Sequence, residues 1–151
     1  MNRNLFGITF AFVMAFGGSL FVFSSDQIAV AQEGMGSQQG VLIGYGGQTF
    51  GVVNVASNGH TMRVSAVTDL VPNPDMVFEA WLVDGNYAAS GYPLSIGQFI
   101  KDGTLAFDEN MVNSYTYTDI MVTMEPRNDL DPKPAWSNAV GAYYMTVPFG
   151  Q

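Results

Sequence analysis

Hydrophobic residues recur at every second position in short runs along most of this chain, the period of strands with one buried face. Such runs cover residues 41–45, 49–56, 60–68, 77–83, 94–100, 104–107, 119–124 and 142–147, each holding β-branched or aromatic residues. None carries the i, i+3, i+4 stripe of an amphipathic helix. Between them stand turn formers: Asn58-Gly59, Asp84-Gly85-Asn86, Lys101-Asp102-Gly103, and Pro72 and Pro74 around Asn73. Asn-Gly readily supplies the positive φ angles of a tight hairpin, so the runs on either side of Asn58-Gly59 are expected to pair. Residues 125–137, with Pro126, Asp129, Asp131, Pro132 and Pro134, read as a long acidic, proline-rich loop before the last strand. Short strands with regular turn signals predict an all-β fold, an antiparallel β-sandwich of about seven to eight strands.

The first residues follow a different rule. Asn2 and Arg3 precede an apolar run from Leu5 to Phe23 that contains no charge, and Ala29-Val30-Ala31 follows it. Positive start, apolar stretch and A-x-A site are the order of a secretory signal peptide. The run is also near the roughly 20 residues that span a bilayer, so an uncleaved anchor helix fits the same pattern. The expected organisation is a signal peptide or membrane anchor over 1–31, a Gly/Ser/Gln-rich flexible linker over 32–40, and a β-sandwich domain over 41–151. The expected location is secreted or extracytoplasmic, released or tethered by the N-terminal segment, with no other contact to the membrane.

Composition narrows the function classes. There is no cysteine, so disulfides and zinc-thiolate, iron-sulfur or blue-copper sites are excluded and a hydrophobic core must supply the stability. Lys and Arg number 5 against 13 Asp and Glu, a formal net charge of −8. The 1–31 segment holds Arg3 and Asp26, one charge of each sign, so its removal leaves −8 unchanged. An acidic chain repels nucleic acid, whose binding is not expected.

Candidate chemistry is sparse. His60 is the only histidine, and His60 and Met62 form an H-x-M pair that strand alternation would put on one face, a pairing suited to copper but short of a full ligand set. Asp69, Asp75, Asp129 and Asp131 offer the oxygen ligands calcium prefers, although no D-x-D-x-D-G loop is present and turn caps explain them as well. Glu79 and Asp84 bracket Trp81, but alternation puts Glu79 with Trp81 on a strand face and Asp84 in the turn, so no acid/base pair is expected. Ser65, Ser90 and Ser95 lack a G-x-S-x-G elbow and have only His60 as a base. No catalytic residue and no cofactor are expected. Tyr87, Tyr92, Tyr115 and Tyr117, with Trp136, are aromatic residues with polar tips in loops or at strand ends, the candidate binding surface for a protein or glycan partner at the cell envelope. Oligomeric state is open at this level.

Three segments carry a resemblance. VFEAWLVDGN, SIGQFIKDGTLAF and YTDIMVTMEP resemble the extracytoplasmic C-terminal domain of anti-sigma-K-type anti-sigma factors. In that family a strand with a W-L-V core is followed by a G-x-F strand, a D-G-T-L-like hairpin and a strand closing on V-T-x-E-P. The matching positions are Trp81, Leu82 and Val83; Gly97, Gln98 and Phe99; Asp102 to Leu105; and Val122, Thr123, Glu125 and Pro126. The match spans the C-terminal half to two-thirds of the chain after residue 31. It implies an immunoglobulin-like β-sandwich outside the membrane, acting in sensing or interaction, with no catalytic residues. Only a few residues precede the apolar run, so the cytoplasmic sigma-binding domain of those factors is expected to be missing.

Overall fold

A computed structural model of the chain describes residues 13–16, 19–22, 35–84 and 92–145. Two compact units result, Met1–Gly34 and Met35–Gln151. In the first, β1 (Val13–Phe16) and β2 (Ser19–Val22) pair antiparallel from Val13↔Val22 to Phe16↔Ser19. These eight residues belong to the segment expected as a signal peptide or membrane anchor, whose remaining residues, with the A-x-A site, lie outside the described residues. No helix among the described residues is long and apolar enough to cross a membrane.

The second unit is all-β: β3 (Gly36–Gly44), β4 (Thr49–Ser57), β5 (Thr61–Thr68), β6 (Met76–Val83), β7 (Leu94–Gln98), β8 (Thr104–Asn110), β9 (Asp119–Pro126) and β10 (Ala139–Tyr144). Each strand falls on a run of alternating hydrophobicity. At the start, however, β3 reaches back to Gly36, so residues 36–40, expected as linker, are ladder paired with 53–57 of β4. Composition misleads there because backbone hydrogen bonds to a well-patterned neighbour order a segment that has few apolar side chains of its own.

The strands of this second unit do not divide into two sheets. They form one antiparallel sheet in the order β7-β6-β9-β10-β3-β4-β5-β8. Its two four-stranded halves meet where β10 pairs with β3 through only two pairs, Gly141↔Gly44 and Ala142↔Ile43. A Cβ at Gly141 would run into the Ile43 carbonyl and the Phe50 ring, so the junction requires glycine. At the far side the edge strands β7 and β8 approach one another without pairing, leaving a nearly closed, barrel-like sheet with one open seam.

The inner face holds the core: Leu42, Phe50, Val53, Val55, Met62, Val64, Phe78, Leu82, Ile120 and Val122 belong to one buried cluster. Alternation supplies it strand by strand, with Met62, Val64, Ala66 and Thr68 buried along β5. Phe50 breaks the period of β4 and still turns inward, because the β3–β4 register shifts beside it.

Candidate binding cleft

At one end of the sheet lie the β4–β5 loop and the 111–118 segment between β8 and β9. Asn58 closes the β4–β5 loop with its side chain: Oδ1 accepts from the backbone N–H groups of His60 and Thr61 at 3.0 and 2.8 Å. Only Gly59 takes a positive φ, +89°, and the ladder ends at Ser57↔Met62, so the connection is four residues long instead of the tight Asn-Gly turn. The Tyr115 ring lies against Gly59, where a Cβ would clash. The 111–118 segment is tied to this loop by Met111 N–H to the His60 carbonyl (2.6 Å), Ser114 N–H to the Gly59 carbonyl (3.1 Å), and a buried hydroxyl contact between Ser57 and Ser114.

That anchoring holds one wall of a cleft. Its volume is about 450 Å³, and Leu94 of β7, Phe107 and Glu109 of β8, and Met111, Val112 and Tyr117 line it. It lies where β7 and β8, leaving their shared turn at 99–103, run as unpaired neighbours. Phe107, Met111 and Tyr117 pack by one side against the core, while Val112 is 97% exposed at the rim. Burial, then the charge of Asp84, raises the pKa of the Tyr117 phenol, and the same two causes raise that of the Asp119 carboxyl. Asp108 is held by Arg63 at 2.9 Å, and Glu109 beside it is exposed.

The structure separates the candidate residues of the sequence. Tyr117 lines the cleft, and Tyr92, fully solvated, stands two residues before Leu94. Tyr115 is engaged with Gly59 and the core, Trp136 is half-buried in a 3-10 turn (Trp136–Asn138) that packs on β9, and Tyr87 and Ser90 lie outside the described residues. His60 and Met62 do not converge: His60 is exposed in the loop while Met62 is 0% exposed in the core, because the strand begins only at Thr61. Asp129 and Asp131 cap local turns, accepting from the backbone N–H of Asp131 (2.8 Å) and Lys133 (3.1 Å). Asp69 and Asp75 are exposed in the β5–β6 loop, and no group of three or more His, Cys, Asp or Glu suited to a metal occurs among the described residues. Glu79 is occupied by Ser95 Oγ (2.5 Å) and Gln98 Nε2 (3.3 Å), and Ser65 is exposed on β5.

One constellation was not anticipated. Trp81 shares its face of β6 with Glu79, as alternation requires, and not with the core residues Phe78, Ala80 and Leu82. It is nevertheless 2% exposed, and its indole N–H donates to Thr123 Oγ1 at 2.8 Å. Thr123 donates in turn to Glu125 Oε1 (2.5 Å), which also accepts from the Ala135 N–H (2.8 Å). Glu125 is 2% exposed, and its Oε2 is buried without a partner. The proline-rich loop therefore docks onto the outer face through this chain. The sequence signal was the T-x-E spacing on β9, which puts both side chains on one face. Set against known proteins, the chain matches no family model, no curated protein and no solved structure.

Proposed function

We propose that this chain is an exported, non-catalytic β-module that binds a protein or glycan partner of the cell envelope through the cleft at its open seam. The observation that carries the reading is the cleft itself, an apolar recess of about 450 Å³ with a polar edge at Glu109 and Tyr117. Recesses of that size and mixture are where binding sites are found. The signal-like N-terminus supports export. The resemblance to the outer domain of anti-sigma-K-type factors supports a sensing or interaction role. Supporting a non-catalytic role, Ser95 is engaged by Glu79 and His60 sits in the β4–β5 loop.

Envelope extracts passed over the immobilised protein, beside a Leu94→Arg/Val112→Arg variant, test this. Both residues are exposed cleft-lining positions, so the variant keeps its core. Recovery of a partner by the native protein and not by the variant is expected; equal recovery, or none, removes the cleft as the site.

A further inference from the structure

We propose that the cleft takes a neutral carbohydrate, a short glycan whose ring faces lie on Phe107 and Tyr117 and whose hydroxyls are read by Glu109, Asn113 and the Tyr117 phenol. The proposal deepens the binding reading above and rests on it.

The polar groups argue first. Phe107 and Glu109 pair with Val64 and Met62 of β5, both core residues, so the two share the inner face of β8 and place a carboxylate beside an aromatic ring. Arg63 is taken up by Asp108, and Glu109 forms no ion pair among the described residues. Its oxygens are therefore open to accept. Asn113 caps the 3-10 turn Ser114–Thr116, its Oδ1 accepting from the Tyr115 N–H at 3.0 Å. A backbone N–H can only donate, so this bond fixes which end of the amide is oxygen and leaves the NH2 group to donate. That NH2 has no partner among the described residues, nor has the Tyr117 hydroxyl. Carboxylate, amide and phenol all line the same recess, against the apolar ground of Leu94, Phe107 and Met111.

This mixture selects the occupant by what each ligand class can offer. A Lys or Arg side chain supplies donors alone, which suits Glu109 and leaves the Asn113 amide unmatched. An anion supplies acceptors alone, and it meets Glu109, a cleft without lysine or arginine, and a chain of net charge −8. A hydroxyl carries one donor and two acceptor lone pairs, so neighbouring hydroxyls satisfy the carboxylate and the amide together. The C–H faces of a sugar ring then cover the aromatic ground. A few fixed polar groups on an apolar floor, in a recess of about 450 Å³, are the make-up of a small-ligand site.

The test titrates the full chain with three neutral trisaccharides (maltotriose, cellotriose and triacetylchitotriose) and with anionic trigalacturonate, read by calorimetry and by the side-chain amide NMR signal of Asn113. Two substitutions remove single polar groups and keep the shape: Asn113→Asp retains the acceptor for Tyr115, and Tyr117→Phe retains the ring. Expected are binding of at least one neutral trisaccharide, a shift of the Asn113 signal, no binding of trigalacturonate, and at least about tenfold weaker binding by the double variant at an unchanged thermal midpoint. Undiminished binding by the double variant, or an unmoved Asn113 signal, would place the sugar elsewhere and overturn the assignment. Trigalacturonate bound as tightly as the neutral sugars would overturn the selection by charge. Binding of none of the three neutral sugars refutes the carbohydrate proposal; recovery of a partner from envelope extracts by the native protein and not by Leu94→Arg/Val112→Arg would then give the cleft to a protein, so the broader reading is decided separately.

Discussion

Trp81, Thr123 and Glu125 show how much one residue's surroundings change its role. A strand-centre tryptophan on the outer face of a sheet is ordinarily solvated, yet here it is buried and hydrogen-bonded. Trp81→Ala is expected to cost about 3 to 5 kcal/mol, the range for deleting a buried aromatic, measured by denaturant unfolding. Glu125 separates acceptor from charge. Glu125→Gln keeps an oxygen for Thr123 and Ala135 and is expected to be neutral or mildly stabilising, whereas Glu125→Ala strands both donors and should cost about 2 to 3 kcal/mol. Equal losses in the two variants would show that Oε2 has a required partner. Asp119 gives a pH signature. Burial, reinforced by Asp84, raises its folded pKa, so folding favours the protonated acid. That favourable contribution is complete below the ordinary carboxylate pKa of about 3.9 and is lost as pH rises through the folded value. At neutral pH the ionised group opposes folding, and Asp119→Asn should stabilise by less than about 1 kcal/mol, given its partial exposure. The gain should vanish below about pH 4 as both proteins become uncharged at this position. By contrast, the exposed His60 should tolerate alanine within about 0.5 kcal/mol.

At the scale of elements, the β4–β5 loop illustrates the division between propensity and context. Its position was legible from Asn58-Gly59, but its length was not, because Asn58 satisfies two backbone donors by side chain instead of adopting a positive φ. Asn58→Ala leaves the N–H groups of His60 and Thr61 without that acceptor and is expected to destabilise by about 1 kcal/mol. Because this loop anchors the 111–118 segment through His60, Gly59 and Ser57, faster hydrogen exchange should appear at Met111 and Ser114 before the core strands. Uniform acceleration across the sheet would show that the segment is not a separate opening unit. The proline-rich loop was equally visible in composition, but nothing in composition placed Ala135 on Glu125.

For the whole molecule, the core cluster among the described residues runs from Leu42 to Met145, and the described strands β3 to β10 pair with one another. A chain starting at Met35 is therefore expected to retain the strands β3 to β10 and the thermal midpoint of the full chain, which circular dichroism checks; loss of cooperative unfolding would show that the first unit is needed. Strand positions and buried faces were legible residue by residue, because alternation is a local property and the side chain of every second residue must find the same side. The cysteine-free, acidic character is read directly from the residues. Which strands become neighbours is not local. The two-pair junction of β10 with β3, which makes one curled sheet of two halves, depends on strands about 100 residues apart in sequence, where many pairings satisfy the same alternation. Only tertiary structure could put Trp81 under cover on the outer face, part His60 from Met62, and leave β7 and β8 as unpaired neighbours. Each is settled by what packs against a residue from afar, and the period of its own strand carries no record of that.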